Sequence, residues 1–285
     1  TILFVAASDV YKRQVQVDEG GGRVLRSKIE ALGVHVHTSR NTVEITDGAT
    51  ARHRMVFADG TWLETDMIVF SAGIRARDEL ARQSLLAVGP RGGVAVDDQC
   101  RTSDADIYAI GECAAWKEQV FGLVAPGYDM ARVAVGHLCE QHDAAFTGAD
   151  LSTKLKLMGV DVASIGDAHG KTPGCRSFSY TDELRQIYKR IVVSEDGKLL
   201  LGAVLVGDAT EYSTLQQMML NAIALPEAPE PLILPASDGA AKPGLGVDSL
   251  PDSAQMCSCN NVSKGQLCAA IADGAHTIGC LLYTS

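Results

Sequence analysis

TSDADIYAIGECA, residues 102–114, runs apolar from Ile107 to Ile110 and then stops at a glycine followed at once by an acid, Gly111 and Glu112. A buried strand that ends this way presents a carboxylate where backbone hydrogen bonds run out. That arrangement does little for stability and is well suited to gripping hydroxyls. In an open parallel sheet, ligands gather at the carboxyl ends of strands, where loops diverge and backbone donors are free. Gly111 lets a ligand approach the backbone, and Glu112 accepts hydrogen bonds from the paired hydroxyls of a polyol or ribose. An acid that merely caps the next turn has the same pattern, and the stretch alone leaves both roles open.

Upstream, DMIVFSAGIR (66–75) is a second decisive stretch. Asp66 to Ser71 reads as a parallel strand covered on both faces, because the run is nearly continuous in apolar residues. Ile107 to Ile110 reads as another. The small residues Ser71, Ala72 and Gly73 let the backbone pass close to something flat or anionic, or else form an ordinary tight turn.

Bulk properties narrow the classes. A chain of 285 residues has room for two domains and a small third, and 46% hydrophobic with 21% charged residues is globular composition. A net charge of -10 without a lysine or arginine run argues against a nucleic-acid partner. No apolar run nears the roughly 20 residues of a membrane span, so a soluble, cytoplasmic protein is expected. Eight cysteines without an export signal point to reduced thiols, so that a clustered pair reads as metal ligands before it reads as a disulfide.

Along the chain, DEGGGRVLRSKIEALGVHVHT predicts a helix with Val24, Leu25, Ile29 and Leu32 on one face, a C-cap at Gly33 and a strand after it. Its EGGGRVLR is the only glycine cluster near the start that approaches G-x-G-x-x-G. It fails, since Leu25 stands at the third glycine and no good strand precedes it. TVEIT and RHRMVFADGTWLET predict short strands with a turn at Asp59-Gly60. Tyr128 to Gln141 predicts an amphipathic helix entered through Pro126-Gly127, and residues 155–225 predict strands and then a helix from Thr214 to Ile223, a compact α+β layer. Proline-rich residues 226–254 predict a linker. The end segments TILFVAASDVYKRQ and CLLYTS resemble translated sequencing-adapter sequence, and residues 1–14 are expected to be a non-native leader.

SAGIR and TSDADIYAIGECA, with GGVAVDDQCRT between them, resemble the second half of the two-dinucleotide-binding flavoprotein reductases. The resemblance implies that the chain crosses from an NAD(P)H-binding domain back to an FAD domain at Ala72 and Gly73. It implies that Glu112 binds the FAD ribityl chain, where most such reductases carry Asp, and that Gly111 makes room on the pyrophosphate side. LVAPGYDMARVAVGHL is similar to the helix aimed at the flavin pyrimidine edge, so N–H groups near Val124 and Ala125 would stabilise negative charge there. Met130, Val133 and Leu138 are expected on its core face. In that family both glycine fingerprints, and the residue that chooses NADH or NADPH, lie upstream of this region.

MCSCNNVSKGQLCAAIADGAHTIGC brings a third motif, in which Cys257 and Cys259 are spaced to share one metal or cluster ahead of a helix capped by Asn261 or Ser263. The segment resembles the bacterioferritin-associated-ferredoxin-like 2Fe-2S domain, which implies two further cysteine ligands beyond Ser285. Cys268 is expected to be a packed small hydrophobe; a zinc site joining it with Cys280 and the first pair is the alternative. His35 and His37 alternate on one strand face and are expected to point to solvent, and His169, the best loop histidine, is assigned no role.

The order of modules resembles the large subunits of NAD(P)H-dependent nitrite reductases over residues 15 to about 281. That implies an α/β fold: residues 15–68 as the end of an NAD(P)H-binding domain, 69–150 as the end of an FAD-binding domain, 151–225 as a small α+β domain, and 255–285 as a truncated helical iron-sulfur module. It implies electron flow from NAD(P)H through FAD and iron-sulfur groups to a siroheme and a 4Fe-4S cluster outside this chain, with a small nitrite reductase subunit or a second copy as partner. The isoalloxazine does the hydride chemistry in such enzymes, so no catalytic acid or base is assigned. A rubredoxin- or ferredoxin-type reductase and a catalytically inactive structural fragment are the rival readings.

Overall fold

A computed structural model of the chain describes residues 2–5, 17–70, 73–140, 143–235, 250–257, 262–275 and 277, with the backbone alone for 2–5 and 257. The chain forms two units, one of Thr1–Val69 with Ser152–Ser285 and one of Phe70–Leu151.

β1 (Ile2–Val5) runs parallel to β2 (Val34–His37), with Ile2 opposite Val34. Between them, α1 (Glu19–Ala31) begins at Asp18, whose carboxylate accepts the Gly21 N–H at 3.0 Å. It ends ahead of Gly33, whose φ of 83° is the left-handed C-terminal conformation expected of that glycine. β3 (Thr42–Asp47), β4 (His53–Phe57) and β5 (Trp62–Thr65) form an antiparallel meander. Its second turn is the expected Asp59-Gly60, with the Thr61 N–H donating to Asp59 at 3.0 Å. Glu64 accepts the N–H groups of Ala49 and Thr50 at 2.9 and 2.7 Å, which pins the first turn and holds this carboxyl well below its usual range.

The apolar run after Asp66 is not the doubly covered strand expected. Met67, Val69 and Phe70 are exposed and pair with no strand among the described residues. A parallel strand draws its hydrogen bonds from neighbours on its edges, and none of the described strands pairs with this run.

In the unit Phe70–Leu151, α2 (Glu79–Gln83) precedes β6 (Val94–Val96), which is parallel to β7 (Ala114–Trp116); β8 (Gln119–Val120) returns antiparallel to β7. α3 (Val124–Leu138) starts earlier than the expected Tyr128, so that Pro126 and Gly127 sit inside its first turn. Met130 and Ala134 pack from it onto Cys100, Ala114, Trp116, Phe121 and Phe146, and Val133 packs at the margin. Leu138, expected on the same face, is exposed. Ile107 to Ile110 is again no sheet strand: Tyr108 makes one antiparallel bridge to Arg101, and the Ala109 N–H donates to the Cys100 carbonyl at 3.1 Å.

From residue 152 the first unit resumes as a five-stranded antiparallel sheet. β9 (Thr153–Leu157), β10 (Val160–Gly166), β11 (Arg176–Asp182), β12 (Ile187–Val193) and β13 (Leu200–Val206) lie in the order β11-β12-β13-β10-β9. Side chains alternate across a strand, and both faces here are covered, which is why VDVASIG, IYKRIVV and LLGAVLV are apolar throughout. Ile165, Ile191, Ala203 and Leu205 face Leu215 and Met218 of α4 (Tyr212–Leu220). Val162, Val204, Val206 and Tyr188 face Leu25, Val24 and Ile29 of α1. The proline-rich segment read as linker from residue 226 is packed as far as Leu232 and Ile233, which join the first of these clusters.

The triple glycine now has its explanation. A Cβ on Gly20 would lie 2.5 Å from the Tyr188 ring, and one on Gly21 3.2 Å from both Val204 and Val206. EGGG is therefore a packing surface that lets α1 lie close to the sheet. Alanine is worth about 1 kcal/mol over glycine in a helix, yet Gly20→Ala is expected to destabilise the chain by about 1–3 kcal/mol through overpacking. Tyr188 cannot easily swing away, since its hydroxyl donates to Asp18 at 2.6 Å. Urea unfolding midpoints of the two proteins measure the balance.

β14 (Gln255–Cys257) pairs with β15 (Val262–Ser263), and Ser263 caps α5 (Lys264–Ala272) in a reciprocal box with Gln266. Cys268 is exposed on α5, against the expectation of a packed residue, because no element among the described residues covers that helix.

Candidate functional site

Glu112 lies in a cleft of about 410 Å³, lined also by Ile74, Arg75, Arg77 and Cys113, all within the Phe70–Leu151 unit. The carboxylate stands in a single 3-10 turn, Gly111–Cys113, that interrupts the chain just before β7. Gly111 has φ 75°, which a side chain would resist, and its N–H points at the Met130 sulfur, 3.3 Å away.

A second glycine completes the local geometry. A Cβ on Gly127 would come within 3.2 Å of the Gly111 Cα, so the first turn of α3 touches the acid loop backbone to backbone. At the far end of α3 the Tyr108 hydroxyl and His137 Nδ1 are hydrogen-bonded at 2.6 Å. The segment leading into Glu112 is thus tied to α3 at both ends. Glu112 itself is exposed and holds no partner among the described residues; the same is true of Arg75 and Arg77. Cys113 points its thiol at the Ile110 carbonyl, 3.4 Å away.

The other candidates fall as follows. Gly73, exposed at φ 87°, immediately precedes Ile74 of the cleft, while Ala72 lies outside the described residues. Val124 and Ala125 open α3 with exposed side chains, and neither lines the cleft. Cys257 ends β14, and Cys259 and Cys280 lie outside the described residues. Among the described residues no three His, Cys, Asp or Glu groups gather as for a metal ion. His35 and His37 sit on β2, exposed and half-buried respectively. Arg75 and Arg77 received no role from the sequence; only their place beside Glu112 singles them out. No helix among the described residues is long and apolar enough to cross a membrane.

Comparison with known proteins agrees with this architecture. Residues 4–137 match the pyridine nucleotide-disulphide oxidoreductase family, and residues 152–223 match the rubredoxin NAD+ reductase C-terminal domain. Among solved structures, an FAD-dependent pyridine nucleotide-disulphide oxidoreductase from Desulfovibrio vulgaris is 25% identical at a TM-score of 0.56, covering 72% of this chain and 52% of that one. The chain carries the fold of the pyridine nucleotide-disulphide oxidoreductases.

The chain is also similar in sequence to the large subunits of NAD(P)H nitrite reductase. It is 62% identical over 267 residues to the nitrite reductase (NADH) large subunit of Escherichia coli K12, covering 93% of this chain and 31% of that one. It is 58% identical to the nitrite reductase [NAD(P)H] large subunit of Klebsiella oxytoca, covering 94% of this chain and 28% of that one. The chain therefore spans about a third of the length of these relatives.

Proposed function

We propose that the chain is the electron-input portion of an NAD(P)H-dependent nitrite reductase. In this reading it takes electrons from NAD(P)H into FAD and sends them toward iron-sulfur and siroheme centres in the rest of such an enzyme. The observation that carries the proposal is the meeting of Glu112 with the segment after Gly73 in one cleft, the two stretches that the family resemblance pairs. The identity to nitrite reductase large subunits supports the particular reaction.

The residues present fit a flavin dinucleotide. An exposed carboxylate without a partner can accept hydrogen bonds from the ribityl hydroxyls, which an acid already committed to a cap could not do. Gly111 and Gly127 leave backbone free of side chains where a cofactor would lie, and Gly73 does the same beside the cleft; Ala72, outside the described residues, is assigned to the crossover by the resemblance alone. The free N–H groups of Val124 and Ala125 put the positive end of the α3 dipole toward negative charge at the pyrimidine edge. When bound, FAD supplies the hydride-accepting ring. In the same reading Cys257 and Cys259 hold half of a 2Fe-2S ligand set, a small nitrite reductase subunit or a second copy is the protein partner, and the site of action is the cytoplasm.

Removing one hydrogen-bonding carboxylate from a ligand costs about 1.5–3 kcal/mol, or about tenfold or more in affinity. Glu112→Gln is therefore expected to raise the FAD dissociation constant of the chain by about tenfold, read as quenching of flavin fluorescence. Equal affinity of the two proteins would remove Glu112 from the cofactor site. A rubredoxin-type reductase is a second reading, favoured by the match over residues 152–223. Supplying the complete reading frame with NADH and either nitrite or rubredoxin separates the two by which acceptor is consumed.

A further inference from the structure

The five-stranded sheet ends on two edges, β9 and β11, and the two are built differently. Side chains alternate across a strand. On β9, TKLKL, this puts Lys154 and Lys156 on one face, and a second β9 laid antiparallel on the first about Leu155 would set Lys154 against Lys156 at both ends of the pair. Lysines of this kind keep an edge from pairing with another chain. β11, RSFSYTD, carries no lysine or proline, and it meets β12 without a bulge from Arg176 opposite Val193 to Asp182 opposite Ile187. Its outer edge pairs with no strand among the described residues. α4 lies over β10 and β13, and α1 over β12 and β13, so both helices sit inboard of that edge.

Set against itself antiparallel about Ser179, β11 is self-complementary. Arg176 falls opposite Asp182, Ser177 opposite Thr181 and Phe178 opposite Tyr180. Ion pairs, hydroxyl pairs and aromatic pairs across strands are the kinds that stabilise a sheet. Phe178 and Tyr180 both pack on the cluster under α4, while Ser177, Ser179 and Thr181 are exposed on the other face, so this register continues each face of the sheet into its like. A one-residue slip would turn the aromatic face of one copy onto the polar face of the other. A two-residue slip would move both charges out of opposition. Arg176 is exposed and pairs with no acid among the described residues. Asp182 accepts the Arg185 N–H at 2.9 Å and the Tyr180 hydroxyl at 3.2 Å, with the Arg185 guanidinium 3.9 Å away. Each carboxylate oxygen has two lone pairs, so one bond to each leaves room for a further guanidinium.

We propose that β11 is the surface through which two copies of this chain associate, edge to edge and antiparallel about Ser179, joining their two five-stranded sheets into one. The partner at this edge is thus a second copy and not a small subunit. The pairing stands independently of what the Glu112 cleft binds.

Sedimentation of the whole chain is expected to show a monomer–dimer equilibrium at about 10–100 μM. Arg176→Glu sets acid against acid at both ends of the pair, Asp182→Lys sets base against base, and each is expected to weaken dimerisation about tenfold or more. Mixed in equal amounts, the two variants are expected to regain wild-type affinity as a heterodimer, because both ends then bring opposite charges together. Ser179→Lys, at an exposed position, puts two ammonium groups face to face at the centre and is expected to leave a monomer. Amide exchange in β11 of the wild type is expected to slow as concentration rises, which a dimer through another surface would not produce. A wild type that stays monomeric overturns the proposal. So does a dimer left intact by Arg176→Glu and Ser179→Lys, or one weakened by the two charge variants and not recovered on mixing them. Unchanged urea midpoints show that the variants are folded; should Asp182→Lys lower its own by losing the Arg185 and Tyr180 contacts, Arg176→Glu and Ser179→Lys carry the test. None of these measurements reads flavin uptake, so failure here leaves the cofactor reading standing.

Discussion

Lys189→Ala is expected to cost the chain about 3–5 kcal/mol, the range found when one member of a buried ion pair is removed. Lys189 is only 3% exposed, and its ammonium lies 2.6 Å from both Asp208 and Glu211. Without it, two carboxylates at the mouth of the β12-β13 pair and the start of α4 face each other with no counter-charge. Replacing all three residues together with apolar side chains of similar volume is expected to recover most of the loss, because the desolvation penalty vanishes along with the attraction. Urea unfolding of the three proteins gives both numbers; a single variant as stable as wild type would mean that water reaches the triad.

The same triad makes an acid-pH prediction. Burial pushes the Asp208 carboxyl up, but hydrogen bonds from Lys189 and Thr210 outweigh this and bring it down to about 2. An unfolded aspartate titrates near 3.9. A depressed folded value means that the stabilisation is complete above the unfolded value and is lost as pH falls from about 4 through about 2. Asp208→Asn is accordingly expected to flatten the decline of the urea midpoint in that window.

Asp18→Ala is the second large effect, at about 3 kcal/mol. One carboxylate performs three tasks: it caps α1 through Gly21, accepts the Tyr188 hydroxyl at 2.6 Å, and pairs with Arg190 at 2.8 Å. Losing a cap costs about 1 kcal/mol, and stranding a half-buried charged donor costs about 1–3 kcal/mol more. Burial first, and then the Asp18 hydrogen bond, push the Tyr188 phenol up to about 12, so it stays a neutral donor across the working pH range. Asp18→Asn keeps the cap and is expected to lose roughly half as much. Faster amide exchange in α1 than in β12 and β13 would show that the helix is released from the sheet; uniform acceleration would show instead that the unit unfolds as a whole.

These contacts mark where sequence reading stopped. The helix over residues 19–31, its glycine C-terminus and the Asp59-Gly60 turn were legible because each depends on neighbours a few residues away. Strands in the 152–225 layer were legible too, apart from β9, whose TKLKL alternates as a strand should. Asp66–Ser71 and Ile107–Ile110 read as covered parallel strands, and the structure differs, with Met67, Val69 and Phe70 exposed, because an apolar run states that a segment can be buried and not that a neighbour is present to bury it. Cys268 differs from expectation for the same reason. The Gly20–Gly22 cluster failed as a phosphate loop on sequence alone, but its true partner, Tyr188, lies too far along the chain for any local pattern to reveal.

For the site, the sequence by itself determined which residue types stand together locally: a glycine and an acid at 111 and 112, small residues before Ile74, a proline-glycine pair at the head of a helix. Motifs of this kind are written in a few consecutive residues, so they carry family membership without any coordinates. Only the tertiary structure decided that Glu112 is left without a partner, that Gly127 touches Gly111, and that two arginines share the acid's cleft. Whether a charge is paired or free depends on which distant segments pack around it, and that is settled when the chain folds.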